Sequence, residues 1–287
     1  MVDADEITLQ EAASRLGVHY MTAYRYVRTG TLPARQLGAR WMVKVADVDD
    51  LRSPRRRGGA PRRGSGPTRV RQQLMSRLVA GDEAGSWATI QAALAAGTEP
   101  TAIYVDLLAP VLQAVGDEWE AGGLQVAGEH RASATATRIV GRLGPLFARR
   151  GRPRGTVVLG VVAHDRHALP SAMLADVVRS DGFQVLDLGA DTPVESFVQS
   201  ATEASRLVAV MIGATITGRD EDLAAAVSAL RAAGVTAPVL LGGAAVEGAE
   251  HARALGGDAY TGIDARAALA VLNEQAATRR PPARPVP

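Results

Sequence analysis

The chain has 287 residues, 32 Lys and Arg against 30 Asp and Glu, and no cysteine. That length argues for about two domains with a sizeable core, and 47% hydrophobic with 22% charged residues is a globular composition. Without cysteine there are no disulfides, Cys-ligated zinc sites, iron–sulfur clusters or thiol nucleophiles; no apolar run approaches the roughly 20 residues of a membrane span, and the acidic start MVDADEITLQ lacks a signal peptide's basic-then-apolar order, so a cytoplasmic protein with no membrane partner is expected.

Charge is unevenly spread. Residues 1–66 hold 12 basic and 7 acidic side chains, and the remainder 20 and 23. A basic N-terminal segment on a near-neutral body suits a nucleic-acid-binding head, or a basic tail with no specific partner. Within it, Thr8 to Ala13 begins a short helix, Gly17-Val18 makes a turn, and a second helix covers about 20–29 and stops at Gly30. Leu32 to Leu37 and Arg40 to Val43 read as a hairpin turning at Gly38, and Val45 to Val48 opens a third helix. The spacing predicts a winged helix-turn-helix over residues 1–53. It resembles the excisionase and MerR-like DNA-binding heads, with Gly30-x-Leu32-Pro33 and Trp41 falling in order.

Residues 19–28 would then be the recognition helix, which fits the major groove. Tyr20, Thr22, Arg25, Tyr26 and Arg28 are its candidate DNA contacts, and Arg40, with Arg35 and Lys44, is placed to reach phosphates. The aromatic residues can equally form this small domain's core. Double-stranded operator DNA is the expected partner. A single head of this size implies paired protomers on repeated half-sites.

Residues 54–67, with Ser53 before them, contain only Pro, Gly, Ser, Ala and Arg. That composition buries no core and reads as a flexible basic linker. Residues 68–150 read as helical throughout. Helices are expected at 69–80, at 82–96, from Pro100 with Thr98 or Thr101 as cap, and at 126–148, with breaks at Gly81-Asp82 and Gly122-Gly123. Ile103, Leu107, Leu108, Val111 and Val115 form one apolar stripe. Four helices with short connections suggest an antiparallel bundle.

Residues 151–278 alternate apolar runs with amphipathic helices. The runs are TVVLGVVA (156–163), FQVLDLG, LVAVMIG (207–213) and PVLLGG (238–243). Helices fall near 169–181, 194–205 and 219–233, and a short final βα unit follows. This pattern predicts an α/β doubly wound parallel sheet. Ligands in such folds bind at the carboxyl ends of the strands. Residues 279–287 are Pro-rich and expected to be disordered.

At the first strand's end stands Asp165-x-His167. A carboxylate two residues from a histidine can accept one imidazole N–H and strengthen the other nitrogen as a metal ligand. The stretch resembles the Asp-x-His-x-x-Gly motif of cobalamin-binding domains, with Pro170 in the last place. The match continues through Leu188-Gly189-x-Asp191-Thr192-Pro193 and Gly242-Gly243, and the family's usual Ser aligns with Gly213 or Thr215. The resemblance implies His167 as the cobalt ligand replacing the cofactor's own base. It implies that Gly189, Thr215, Gly242 and Gly243 lie along the nucleotide tail, where a bulky Cβ would block it.

Trp119 is followed, after nine residues, by Glu129-His130. Helices carrying Trp-x(9)-Glu-His before a cobalamin domain resemble the light-responsive CarH/LitR-type repressors. That resemblance implies adenosylcobalamin as cofactor, with Trp119 beside the adenosyl group and Glu129 and His130 near it. It also implies a transcriptional repressor, a homo-oligomer (dimer or tetramer) that falls apart in light, and no enzymatic turnover. One departure is Glu120, where well-known light sensors of the family carry a His directly after the Trp. Alternatives are a light-independent cobalamin sensor, a corrinoid methyl-carrying module of a methyltransferase, or a scaffold that has lost the cofactor.

Overall fold

The computed structural model describes residues 5–18, 20–28, 32–37, 40–52 and 66–278, without the side chains of 21, 25, 28, 36, 37, 50–52, 66 and 67. The chain divides into two compact units, residues 1–65 and 66–287. The linker, the Pro-rich end, the turn glycines Gly30 and Gly38, and the side chains of Arg25 and Arg28 lie outside the described residues.

The first unit runs β1 (Glu6–Thr8), α1 (Leu9–Leu16), α2 (Tyr20–Arg28), β2 (Ala34–Leu37), β3 (Arg40–Lys44) and α3 (Val45–Arg52). Thr8 caps α1 in a reciprocal box. Its hydroxyl accepts from the Glu11 N–H, and Glu11 Oε2 accepts from the Thr8 N–H at 2.9 Å. Gly17, at φ 70°, ends the helix in the left-handed conformation that glycine adopts without a Cβ penalty. β2 and β3 pair antiparallel from Ala34–Val43 to Leu37–Arg40, and β1 adds to the other edge of β3. Leu9, Ala12, Ala13, Ala23, Leu32, Val43 and Val48 make the core. The sequence reading began the head at a helix and missed β1. Three residues have no alternation to read, and they become a strand only by pairing with β3.

The second unit opens with α4 (Gly66–Ala80) and α5 (Glu83–Ala95), the latter capped by Asp82, whose carboxylate accepts from Gly85 N–H at 2.8 Å. α6 (Pro100–Ala102) continues through a π-helical stretch (Ile103–Leu108) into α7 (Ala109–Glu120). Then come α8 (Val126–Leu143) and a 3-10 turn (Gly144–Phe147). The expected Thr98 or Thr101 cap is corrected here. The N-cap is Glu99, with no side-chain bond, followed by Pro100. Proline supplies the helical φ and has no N–H to be capped. The apolar stripe runs through this stretch into α7: Ile103, Leu107, Leu108, Val111 and Val115 are all buried.

The rest is β4 (Thr156–Val161), α9 (Ala168–Ser180), β5 (Gln184–Asp187), α10 (Val194–Glu203), β6 (Leu207–Gly213), α11 (Asp220–Ala232), β7 (Val239–Gly242), α12 (Ala249–Ala254), β8 (Ala259–Tyr260) and α13 (Ala265–Thr278). The five strands are all parallel in the order β5-β4-β6-β7-β8. All six residues of β4 are buried, as a strand covered on both faces requires. Val158 joins the core under α10 and α11, while Val157 and Leu159 join the one under α9 and α13. The chain reverses direction across the sheet between β4 and β6, the point where such sheets bind ligands.

The helical layer of α4–α8 shares a core with α9, through Met173 and Val177. Polar ties cross this contact. The buried Tyr104 hydroxyl donates to Asp176 Oδ2 at 2.8 Å, and Arg179 donates to Asp176 Oδ1 at 2.8 Å. Burial, then the Asp176 carboxylate, pushes the tyrosine's pKa up, so it stays a donor. Arg266 on α13 grips Asp106 through two bonds of 2.7 Å. Tyr104→Phe removes a donor from a buried carboxylate and should lower the second unit's stability by about 2 kcal/mol. An unchanged urea midpoint for that variant would show that the tie contributes nothing.

Candidate functional site

Asp165 organises the loops at the sheet's switch point. It is fully buried. Its Oδ1 accepts from the His167 N–H at 3.1 Å and meets the His167 Nδ1 at 2.7 Å. Its Oδ2 accepts from the N–H groups of Thr215 and, at 3.2 Å, Ile216. Its backbone carbonyl accepts from Asp191 N–H at 2.8 Å. One residue thereby fixes the segments that follow β4, β5 and β6. Burial raises its pKa, but the imidazole and the three amides outweigh burial and hold it at about 2. A carboxylate held ionised accepts only, so His167 Nδ1 is the donor. Nε2 is then the atom left to coordinate, on a ring 54% exposed. The Asp165 bond, opposed by burial, raises the His167 pKa, and the charges of Asp165 and Glu129 add to the rise.

Glu129 bears on His167 from the first turn of α8, so the helical layer faces this loop. Glu129 Oε1 accepts from Ser133 Oγ at 2.6 Å, and Oε2 pairs with His130 Nδ1 at 2.9 Å. His130 Nδ1 also lies 3.0 Å from the Val126 carbonyl, on a side chain 73% exposed. Two acceptors around Nδ1 again leave Nε2 free. Trp119 stands in the last turn of α7, 46% exposed, and Val126 opens α8, 55% exposed. Residues 121–125 join these helices, with Gly122 at φ 76° making the turn. Glu120 is exposed. On the sheet side Ile216 and Ile263 are also exposed.

A cavity of about 90 Å³ lies at the strand ends beside this loop, lined by Gly213, Thr215, Gly242, Gly243, Pro170 and Ile263 among others. A Cβ on Gly242 would meet Thr261 Oγ1 and, at 2.9 Å, the Gly262 carbonyl. One on Gly243, at φ 96°, would come within 2.3 Å of the Ala214 carbonyl oxygen. Gly189, at φ 75°, sits in open space. Thr215 takes part through its backbone N–H rather than its hydroxyl. Pro170 lies in the first turn of α9, where a missing N–H costs nothing. Nucleotide-sized ligands occupy roughly 300 Å³ or more, so the cavity must widen to admit one.

These residues fit a corrinoid. A single imidazole with its tautomer set by a buried carboxylate suits a metal whose equatorial positions are already filled by a macrocycle. The glycine-lined slot beside it suits a tail, and the exposed apolar side chains suit a broad ring.

The sequence places His164 on the loop after the first strand without a partner at informative spacing, and the structure supplies the partners. His164 sits at φ 64°, donates its N–H to Asp191 Oδ1 at 2.7 Å, and sets its ring nitrogen 3.4 Å from Asp222 Oδ2. Its partners are 27 and 58 residues away, beyond any local spacing.

The head's candidates are distributed differently. Tyr20 stacks on Tyr24 at 6.4 Å, Tyr24 meets Trp41 edge-on, and Tyr20, Tyr26 and Trp41 are half-buried against the core. Thr22 is half-buried, and Arg40 and Lys44 are exposed. Arg35 is engaged by Glu6 through two of its nitrogens.

The chain matches family models described as a helix-turn-helix domain over residues 6–71 and as a B12 binding domain over 70–143 and again over 155–272. It is 30% identical over 114 residues to trimethylamine corrinoid protein 1 of Methanosarcina mazei, covering 39% of this chain and 53% of that protein. It is 32% identical over 117 residues to a dimethylamine corrinoid protein of Methanosarcina barkeri, covering 40% and 54%. The chain thus spans about half the length of these curated relatives. The solved structure of the Methanosarcina barkeri monomethylamine corrinoid protein superimposes with a TM-score of 0.63 at 21% identity, over 73% of this chain and all of that one. It establishes a common fold. Among the described residues no helix is long and apolar enough to cross a membrane. The family matches support a cobalamin-type cofactor in a chain that carries a helix-turn-helix head.

Proposed function

We propose that this chain is a DNA-binding transcriptional regulator that binds adenosylcobalamin and loses assembly and DNA affinity on illumination. The observation that carries the reading is the union, on one chain, of a helix-turn-helix match at 6–71 with the Asp165–His167 site inside a B12-binding match. When bound, the cofactor supplies a cobalt–carbon bond that light breaks. His167 would hold the metal through Nε2, and Asp165, accepting from Nδ1, orients the ring and sets the neutral tautomer whose lone pair lies on Nε2. Gly213, Gly242 and Gly243 leave room for the tail. Trp119, Glu129 and His130 would contact the bound group from the helical layer. They stand on two helices joined by one turn, so a group seated against them bears on how α7 and α8 meet the α/β half. Glu120 offers a carboxylate where the light-sensing relatives place an imidazole, so His130 is the imidazole of this chain nearest in sequence to the Trp. Paired heads on one operator would multiply contacts, and dissociation would lose them. None of these roles requires turnover.

A second reading has support from the relatives, which are named as methylamine corrinoid proteins: a carrier of methyl groups on the corrinoid. The helix-turn-helix match favours regulation. The test is to load the full chain with adenosylcobalamin in darkness and record its spectrum, elution mass and DNA retention before and after green light. A bound corrinoid with a light-dependent fall in mass and DNA retention is expected. Binding without either change would replace light sensing by light-independent sensing. Binding with no affinity for DNA in any state would favour the carrier.

A further inference from the structure

The segment joining the helical layer to β4, Arg149 to Arg154, borders a cleft of about 510 Å³ that none of the roles above uses. Five arginines line it: Arg149, Arg150, Arg152, Arg154 and, from α9, Arg179. No carboxylate lines it. Two of the five are already engaged. Arg154 pairs with Asp181 and lies 4.3 Å over the Phe183 ring, and Arg179 pairs with Asp176. Those contacts do more than neutralise charge. Together with Arg206, which donates to the carbonyls of Pro153 and Arg154 at 3.0 and 2.9 Å, they fix the segment's end against the α/β half.

Arg149, Arg150 and Arg152 are exposed and make no ion pair among the described residues. Three unpaired cations on a fixed loop repel one another, and an anion offsets that repulsion. Guanidinium forks match phosphate oxygens in charge and geometry. A cleft open on one side takes a phosphate that remains attached to a chain.

We infer that Arg149, Arg150 and Arg152 form a second, sequence-independent contact to the DNA phosphate backbone, separate from the head. The inference rests on the reading of this chain as DNA-binding and adds a part of the second unit to that function. Such a contact positions without reading bases. Its signature is salt dependence, because each phosphate contact releases condensed counterions.

The test compares two doubly substituted full-length chains that lose the same charge: Arg150→Ala with Arg152→Ala, and Arg138→Ala with Arg253→Ala, whose arginines are exposed on α8 and α12. Affinity for a random-sequence duplex of about 40 base pairs is measured from about 50 to about 200 mM salt. Two lost phosphate contacts should flatten the slope of log affinity against log salt by about 1.8, so that the parent's loss of affinity over that range exceeds the first variant's by about twelvefold. The second variant should keep the parent's slope. Equal slopes in all three chains, or equal flattening in both variants, overturns the inference. Sodium phosphate titrated into the DNA-free chain covers the other source of the same chemistry: tight binding lost with Arg150 and Arg152, beside an unchanged DNA slope, assigns the cleft to a free anion and also overturns it. A parent chain that binds no DNA at any salt fails the regulatory reading itself, which these slopes distinguish.

Discussion

Asp165→Ala is expected to lower the stability of the second unit by about 3 kcal/mol, even in protein that has never met a corrinoid. The carboxylate is buried and accepts from four donors, and two of these are amides 50 and 51 residues further along the chain. Alanine leaves the amides of Thr215 and Ile216 without an acceptor and frees the loops after β4 and β6 from each other. For a unit of this size the loss corresponds to roughly 10 °C in Tm. His167→Ala is expected to cost less. Its ring is half-exposed and, among the described residues, its only hydrogen-bond partner is Asp165, which keeps its amide donors at Thr215, Ile216 and residue 167, so stability should fall by about 1–2 kcal/mol. Corrinoid retention through gel filtration should nevertheless be lost. Asp165→Asn is the informative intermediate. An asparagine offers one acceptor oxygen where Asp165 offers two, so its NH2 group faces either the Thr215 and Ile216 amides or the His167 donors, and the ring misoriented by that mismatch should cost about 10–100-fold in corrinoid affinity. If His167→Ala retains corrinoid as the parent does, the ligand assignment is wrong.

The same site predicts a pH window. The Asp165 pKa is held at about 2, below its ordinary value of 3.8. A depressed carboxylate contributes stability that is complete above the unfolded-state pKa and lost as pH falls through the folded-state value. The stability difference between the parent and Asp165→Asn should therefore shrink between about pH 4 and pH 2 and, because the same carboxylate raises the His167 pKa, also fall as pH rises above about 6.5, so that it is largest near about pH 5 to 6. Denaturant melts at a series of pH values measure it. A difference that grows toward pH 2 would contradict the assignment of these donors to an ionised carboxylate.

What could be read in advance was what is local. The parallel sheet announces itself because β4, β6 and β7 are unbroken apolar runs, and Asp165-x-His167 because its bond spans two residues. The tie from Asp165 to Thr215 spans 50 residues, and that from Tyr104 to Asp176 spans 72. No spacing rule reaches that far. The same limit hid β1, which exists only as β3's neighbour, and the Glu6–Arg35 pair, which takes up a side chain otherwise free for phosphate. Thr215 was picked for a side chain aligned with a family serine, yet the structure uses its amide. Sequence patterns report residue types, whereas a backbone donor can come from almost any residue.

The glycines at the strand ends separate what the fold needs from what a ligand needs. Gly243→Ala should cost about 4 kcal/mol, because it combines a left-handed backbone with a Cβ at 2.3 Å from a backbone oxygen that has no freedom to move. Gly242→Ala should cost less, about 2 kcal/mol, since its backbone is not left-handed and the nearest atom in its way is a side-chain hydroxyl, that of Thr261, although the Gly262 carbonyl at 2.9 Å must also shift. Gly213 is the discriminating position. It lines the same cavity, has ordinary backbone geometry, and a Cβ there would meet nothing nearer than 3.8 Å. Gly213→Ala should therefore fold within about 1 kcal/mol of the parent, and Gly213→Leu should fill a cavity of about 90 Å³ from its rim. Urea melts set the order Gly243, Gly242, Gly213 in stability, and corrinoid retention by the well-folded Gly213 variants then isolates the slot. Retention that falls from alanine to leucine places the tail between α9, α13 and the sheet. Retention equal to the parent's in both would put the tail elsewhere, and the glycines at 242 and 243 would then be explained by close backbone approach alone.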